Sequence, residues 1–453
     1  MVTYTLLDIH RQEEPLNKIL KLCIWNVATC FAYSFTTVVS TLVVSSLTAS
    51  IEVAAYGLAN LIWNLFGMSF GSGLTSALDS VVGQSVGAGN HHLPPVHLNR
   101  ARIVIMTVAL VPGLIILFFT KEILVAVGQD AEVAQYSSEF ITGASYGLFP
   151  LYMNLCSAAF LRSLELPNIP LLANVVTALV HIGPCICLVN RFGLYGAGIA
   201  TALNSWTRFL VLEIYMALHP ELGAHRWTPE SLSWLGLVEY MKLALPSAAL
   251  YCSESWGFEL QALFAGWVST AGLASHVACI SVMNTAYMVP QGIGQSMATL
   301  VGSALGNGKP MYAQTLSRHG LWVTLMVSSG IGIAILLLRH SIMPIYSRDA
   351  AVLAVMDTVM AITGIFVLFD ALATVQEGIL RGLNLQSSAM KYKIISMFTI
   401  MLPSGLLLSR FLGVPGIWIG SLIGFSYTSF WYYRILKSCD FVLLSAVALK
   451  NNE

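Results

Sequence analysis

Charge is scarce in this chain: lysine and arginine number 22 and aspartate and glutamate 22 among 453 residues, for a formal net charge of zero. The cations never form a dense cluster. That excludes the basic surface on which nucleic-acid backbone binding depends. No Cys-x-x-Cys pair occurs among the cysteines at 23, 30, 156, 185, 187, 252, 279 and 439, and Cys185 and Cys187 have no partner at metal-ligand spacing. They read as small buried hydrophobes. His91 and His92 sit in a Gly/Pro-rich loop and read as loop polarity, not as a metal site. There is no G-x-S-x-G, no H-E-x-x-H and no nucleotide loop, so no enzyme class has a supporting constellation, and no cofactor is expected. The glycines of GQSVGAGN (83–90) look like a phosphate cradle only superficially, because no strand precedes them. A basic n-region ahead of the first apolar run is also missing, so no cleaved signal peptide is expected.

Apolar sequence fills the space that charge leaves. Hydrophobic types make up 56% of residues and mean hydropathy is +0.74. Runs such as IVIMTVALVPGLIILFF and LWVTLMVSSGIGIAILLL are each long enough to cross a bilayer as a helix of roughly 20 residues. Length and punctuation predict an all-α polytopic membrane protein. Its twelve transmembrane helices fall at about 19–47, 52–85, 98–120, 133–156, 169–190, 194–217, 237–267, 272–305, 316–338, 351–378, 391–411 and 414–437. The second and eighth are long enough to bend or overrun the membrane, with Gly67, Gly71, Gly73, Gly292 and Gly294 as sites of distortion or close packing.

Counting cations over alternate loops gives the orientation. With the N-terminus inside, sixteen Lys and Arg fall on the inside (11, 18, 21, 100, 102, 162, 226, 242, 309, 318, 381, 391, 393, 434, 437 and 450). Five fall outside (121, 191, 339, 348 and 410), and Arg208 is the only one placed within a span. Both termini are therefore expected in the cytoplasm.

The halves repeat. GLTSALDSVVGQSVGAGN (73–90) matches GIGQSMATLVGSALGNGK (292–309) at an offset of 219, reproducing Gly73, Val82, Gly83, Gly87 and Gly89. The same offset sets LRSL (161–164) on LRGL (380–383), and 220 sets GLYGAGIA (193–200) on GVPGIWIG (413–420). Six helices per copy is an even number, so the repeats are parallel, with a pseudo-two-fold axis along the membrane normal. The expected organisation is a leader (1–18), an N-terminal lobe (19–225), a linker (226–236) in which SLSWLG forms an interfacial helix, a C-terminal lobe (237–437) and a tail (438–453). A central cleft between equivalent lobes suits alternating access.

A carboxylate inside a span is costly and marks a functional candidate. Glu139, Glu213 and Asp357 lie near helix ends, where reaching the interface is cheap. Asp79 reads as structural, tying down the loop that holds Gln84. Glu254 is mid-span in the seventh helix, and Glu259 lies about 140° around that helix from it. Both are therefore not expected in one narrow cavity: Glu254 faces the cleft, and Glu259 finds a partner within its lobe. Asp370, Thr374 and Glu377 form a polar stripe on the tenth helix. Two carboxyls sharing a low-dielectric site cannot easily both ionise, so proton and cationic substrate compete there. A buried structural carboxyl is the bland reading. Cleft candidates from the N-terminal side and the aromatic positions are Asn26, Tyr33, Trp63, Trp256, Asn284, Tyr287 and Phe369, the aromatics by stacking or cation–π contact.

The blocks ALDSVVGQSVGAGN (77–90), PSAALYCSESWGFE (246–259), ISVMNTAYMVPQGIG (280–294) and LFDALATVQEGILRG (368–382), with GLYGAGIATALNSW (193–206), resemble the multidrug and toxic compound extrusion family over nearly the whole chain. Cys252–Glu254–Trp256 and Ser281–Thr285 resemble its eukaryotic branch. The resemblance implies a V-shaped pair of six-helix bundles that exports organic cations, drugs or secondary metabolites in exchange for protons. Glu254 and Asp370 would be the central exchange pair, and Glu259 matches a second family glutamate. The chain departs from family patterns at Asn26, at Ser281 and at Glu377, and lacks the bacterial-type first-helix aspartate, which favours a plant- or fungus-like member. Sodium coupling, organic-anion transport and a lipid-linked oligosaccharide flippase stay open as alternatives. The expected partners are a small organic cation and membrane lipid, with the protein functional as a monomer in a plasma or vacuolar membrane.

Overall fold

A computed structural model describes residues 14–452; most of the expected leader, including Arg11, lies outside them. Helix dominates because the apolar runs have no water to satisfy their backbone groups, which must pair within each span. The spans are α1 (Pro15–Leu47), α2 (Ile51–Gly87), α3 (Leu93–Phe118), α4 (131–163, interrupted between Ser145 and Leu148), α5 (168–192), α6 (194–218), α7 (Trp234–Val268), α8 (Thr270–Gly306), α9 (Pro310–Tyr346), α10 (Ala350–Gly382), α11 (Gln386–Leu412) and α12 (Val414–Ser438). A final short helix, α13, covers Phe441–Lys450. Eight stretches have the length and apolarity of a span outright. One of these, Asn168–Leu218, is two spans meeting at Gly193. With α4, α7 and α12, the count reaches twelve. Phe118, Leu337 and Phe411 keep 81%, 75% and 79% of their surface exposed on outward faces, which only a lipid surround makes inexpensive.

The duplication is written in the backbone. Gly193 (φ 57°, ψ −136°) and Gly413 (φ 66°, ψ −144°) make the same break 220 residues apart. Glu165 and Asn384 take φ near 60°, and Gly89 and Gly308 take φ 73° and 66°, both pairs at an offset of 219. Each of those four closes its helix with the same turn. The amide one residue beyond it bonds back across the turn, as from Asn90 to the Ser85 carbonyl and from Lys309 to the Ala304 carbonyl, both at 3.0 Å.

The repeated glycines have a packing reason. A Cβ on Gly87 would meet the Ser303 carbonyl, and one on Gly306 would meet the Gln84 carbonyl. α2 and α8 thus cross backbone to backbone, each copy docking on the other. Gly73 lies against Ala248 of α7, and Gly292 against Val27 of α1. The first halves of α1 and α7 cross over in the same spirit. Ile19, Leu22 and Cys23 join the core of α8 and α9, while Tyr240, Ala244 and Ala248 join the core of the first six helices.

Several expectations need correction. SLSWLG is not a separate interfacial helix: Pro229–Leu232 is a single 3-10 turn and Trp234 already opens α7. The tail is helical, and its Asn452 accepts at Oδ1 from the Ser85 hydroxyl (2.7 Å) and at its carbonyl from Asn90 (3.0 Å). Glu213 does not rely on the interface, because it accepts from Arg102 and from Ser157, both at 2.8 Å. Most consequentially, α11 begins at Gln386, more than a turn before the expected 391. That moves Lys393 from the first turn of the helix to about two turns within it, where it is fully buried. Arg208 is therefore not the only cation within a span.

Candidate functional site

Both ends of the described chain lie on one face, called here the terminal face. Every hydrogen bond between the first and second sets of six helices, among the described residues, falls between the middle of the molecule and that face. The outermost run from Ser34 on α1 to Met288 and from Asn26 to Ser296, both partners on α8. The innermost use Ser80 to the Arg381 carbonyl (2.8 Å), Gln84 to the Gly382 carbonyl (3.0 Å) and Asn384 to Gln84 (2.9 Å). Beyond the middle the lobes diverge around a cavity of about 600 Å³. Its closed end lies at Asp79, Arg162 and Arg381. Its other end reaches Ala262 and His276, each six residues from the far ends of α7 and α8.

Four carboxyls line the cavity: Asp79, Glu254, Glu259 and Glu377. Glu254 and Glu259 share it despite their angular separation, because the cavity is wide enough to wrap around α7. The expectation that only one could face it was wrong. Glu259 makes no hydrogen bond or ion pair with any described residue, so the intralobe partner expected for it is also not found. Glu254 accepts a hydrogen bond from the Lys393 ammonium, which lies behind the cavity wall. The same Nζ is 3.8 Å from Glu377 Oε2 and 4.9 Å from the centre of the Phe425 ring. Asp370 is buried and does not line the cavity, and its Oδ1 has no partner among the described residues. Two carboxyls, one from α7 and one from α10, thus meet one ammonium from α11, and Asp370 is buried two turns before Glu377 on α10. Removed from water, such charges persist only when paired. A π-helical turn, Ile395–Met401, begins two residues after Lys393 and loosens the helix that carries it.

The MatE profile matches residues 27–187 and again 246–407, two copies whose starts are 219 residues apart and which together cover more than half of the chain. The chain belongs to the MatE family. It is 28% identical over 378 residues to Protein DETOXIFICATION 16 of Arabidopsis thaliana, covering 82% of this chain and 77% of that one. Multidrug and toxin extrusion protein 1 of Homo sapiens is 27% identical over 380 residues, covering 82% and 66%. Among solved structures, the eukaryotic MATE transporter AtDTX14 superposes with a TM-score of 0.92 at 23% identity, covering 97% of this chain and 99% of that one. A Pyrococcus furiosus transporter described as having a binding pocket of reversed polarity superposes at 0.83 and 16% identity. As a MatE protein the chain is an integral membrane transporter of small organic compounds, not an enzyme.

Within this MatE fold the other sequence candidates divide. Tyr33, Asn284, Tyr287 and Thr374 line the cavity. Tyr33 carries the Arg208 guanidinium 4.0 Å over its ring and donates to Met68 Sδ at 3.3 Å. Asn26 is buried at the α1–α8 contact, donating to Ser296 at 2.8 Å, and does not face the cavity. Trp63 is buried against the turn that holds Gly67. Phe369 packs in the core of the second lobe, and Trp256 points outward, 40% exposed. Asp79 does not tie down the loop after α2; it takes an ion pair from Arg162 at 3.0 and 3.3 Å. Gln84 bridges the lobes at the closed end. Sequence reasoning missed Lys393 and the two cavity-lining arginines. The available signal was the surplus of carboxyls in the second lobe, which called for a cation nearby.

Proposed function

We propose that this MatE protein is a proton-coupled antiporter that exports organic cations, drugs or secondary metabolites by alternating access. The observation that carries the reading is the group formed by Glu254, Asp370, Glu377 and Lys393 at the wall of a cavity sealed toward the terminal face. Protonation of Glu254 cancels its attraction for Lys393. The ammonium then turns to Glu377 and Asp370, and α11 shifts at its π-helical turn. A cation in the cavity and a proton compete for the same negative charge, so loading one expels the other. The excess of Lys and Arg on the terminal side supports cytoplasmic termini, and the far face would open to the acidic side of a plasma or vacuolar membrane. The names of the relatives, detoxification and toxin extrusion proteins, support export.

The test is uptake of tetraethylammonium into proteoliposomes under an outward proton gradient, compared with a sodium gradient. Wild type would be run beside Glu254→Gln and Asp370→Asn. Proton-driven uptake lost in both correctly inserted variants supports the reading. Full uptake in both, or uptake driven by sodium alone, refutes it.

A further inference from the structure

Pairing off the charges that line the cavity leaves two without partners. Asp79 is bound to Arg162, and Glu254 to Lys393. Glu377 faces the same ammonium at 3.8 Å. Glu259 and Arg381 remain. Neither has a hydrogen bond or ion pair from its side chain to any described residue, and the Arg381 Nε is buried with no acceptor. They sit toward opposite ends. α7 runs away from the terminal face, so Glu259 lies five residues outward of Glu254. α10 runs toward that face, so Arg381 lies four residues inward of Glu377. Lys393 bridges Glu254 and Glu377 and so fixes them at one level. At 1.5 Å per residue the free carboxylate and the free guanidinium are about 13 Å apart along the membrane normal.

The surroundings of Arg381 are built, not incidental. Its carbonyl accepts from Ser80, the neighbour of Asp79, and Arg162 stands on the other side of that aspartate. Two guanidiniums thus flank the closed end, one of them already neutralised. The Arg381 guanidinium is half-buried, its Nε has no acceptor among the described residues, and the nearest carboxylate on its own helix, Glu377 one turn back, is shared with Lys393; its planar fork suits a carboxylate or similar oxyanion.

We infer that the closed end of the cavity is an acid-binding subsite built on Arg381. The substrate it selects is amphoteric, with its cationic group toward Glu259. Allowing a contact of about 3 Å at each end, the two charged groups of the ligand are about 7 Å or more apart. This deepens the proposed function and rests on its reading of the cavity as the substrate path.

The probe pair is 6-(trimethylammonio)hexanoate and its methyl ester, which keep the same cation and chain and differ in the carboxylate. Affinity is measured by calorimetry on the full-length purified protein. Wild type is expected to bind the zwitterion about tenfold or more tightly than the ester, the effect of one charge-assisted hydrogen bond. Arg381→Gln should bring the two together while leaving ester binding intact, which also reports that the variant is folded. Arg381→Lys, which keeps the charge but not the fork, should retain part of the preference. Equal affinities in wild type, no zwitterion binding, or an undiminished preference in Arg381→Gln overturns the subsite. Proton dependence is read separately from ester uptake into vesicles, so the coupling reading can fail while the subsite stands.

Discussion

The Lys393 ammonium reaches Glu254 from behind the cavity wall, from a different helix and out of contact with the lumen. A tethered cation therefore holds the place beside Glu254. The pair Glu254 and Glu377 is not a bare cluster of negative charge, which is how two carboxyls are tolerated between the helices.

Replacing Lys393 with Met strands Glu254 and Glu377 without their cation. Breaking a buried pair on one side costs roughly 3–5 kcal/mol, so Lys393→Met should lower the midpoint of thermal unfolding in detergent. Adding Glu254→Gln and Glu377→Gln, which removes the stranded charges, should recover a large part of the deficit. No recovery would point to lost packing instead.

Valine at Gly306 would push into the Gln84 carbonyl across the lobe contact. Gly306→Val should shift the protein away from the state closed at the terminal face. Spin labels on the exposed His91 and Met311 would report a longer distance distribution. Gly183→Val, where nothing lies within 4 Å, should leave that distribution as in wild type.

Asp79→Asn leaves the Arg162 guanidinium in a largely buried place without its anion. A loss of roughly 3 kcal/mol is expected. The double variant Asp79→Asn/Arg162→Gln should recover a large part of it. A denaturant double-mutant cycle measures the coupling; additive effects would mean the pair contributes nothing as a pair.

Two aromatics that sequence treats alike should behave differently. Tyr287 lines the cavity, whereas Trp256 points out of it. Tyr287→Ala should weaken organic-cation affinity by about twofold to fivefold, the size of a cation–π contact. Trp256→Ala should change it by less than about twofold, as a surface substitution does. Competition against labelled tetraethylammonium distinguishes them.

The architecture was legible because it is written in long apolar runs and in glycines repeated at a fixed offset, and backbone contact between α2 and α8 can be made only by glycine. Glu254 was legible because a carboxylate deep in an apolar run has few bland explanations. Lys393 was not. KYKIIS looks like the cytoplasmic lead-in to a span, and one helical turn in the position of the helix start decides whether its second lysine meets water or carboxylates. Arg381 was hidden likewise: the LRG stretch reads as a loop after α10, whereas the helix continues to Gly382 and the cavity descends to meet it. The outward turn of Trp256 and the core position of Phe369 depend on packing between helices distant in sequence, and no local pattern carries that information.

The reciprocal docking of Gly87 on Ser303 and of Gly306 on Gln84 has a historical consequence. Residues 84 and 87 correspond to 303 and 306, so the two contacts are one contact made twice, in the manner of identical subunits meeting across a two-fold axis. The seal between the lobes has the form of a homodimer interface retained inside a single polypeptide. The two halves are alike at this seal and unlike at the cavity wall, where Glu254, Glu377 and Lys393 all belong to the second half.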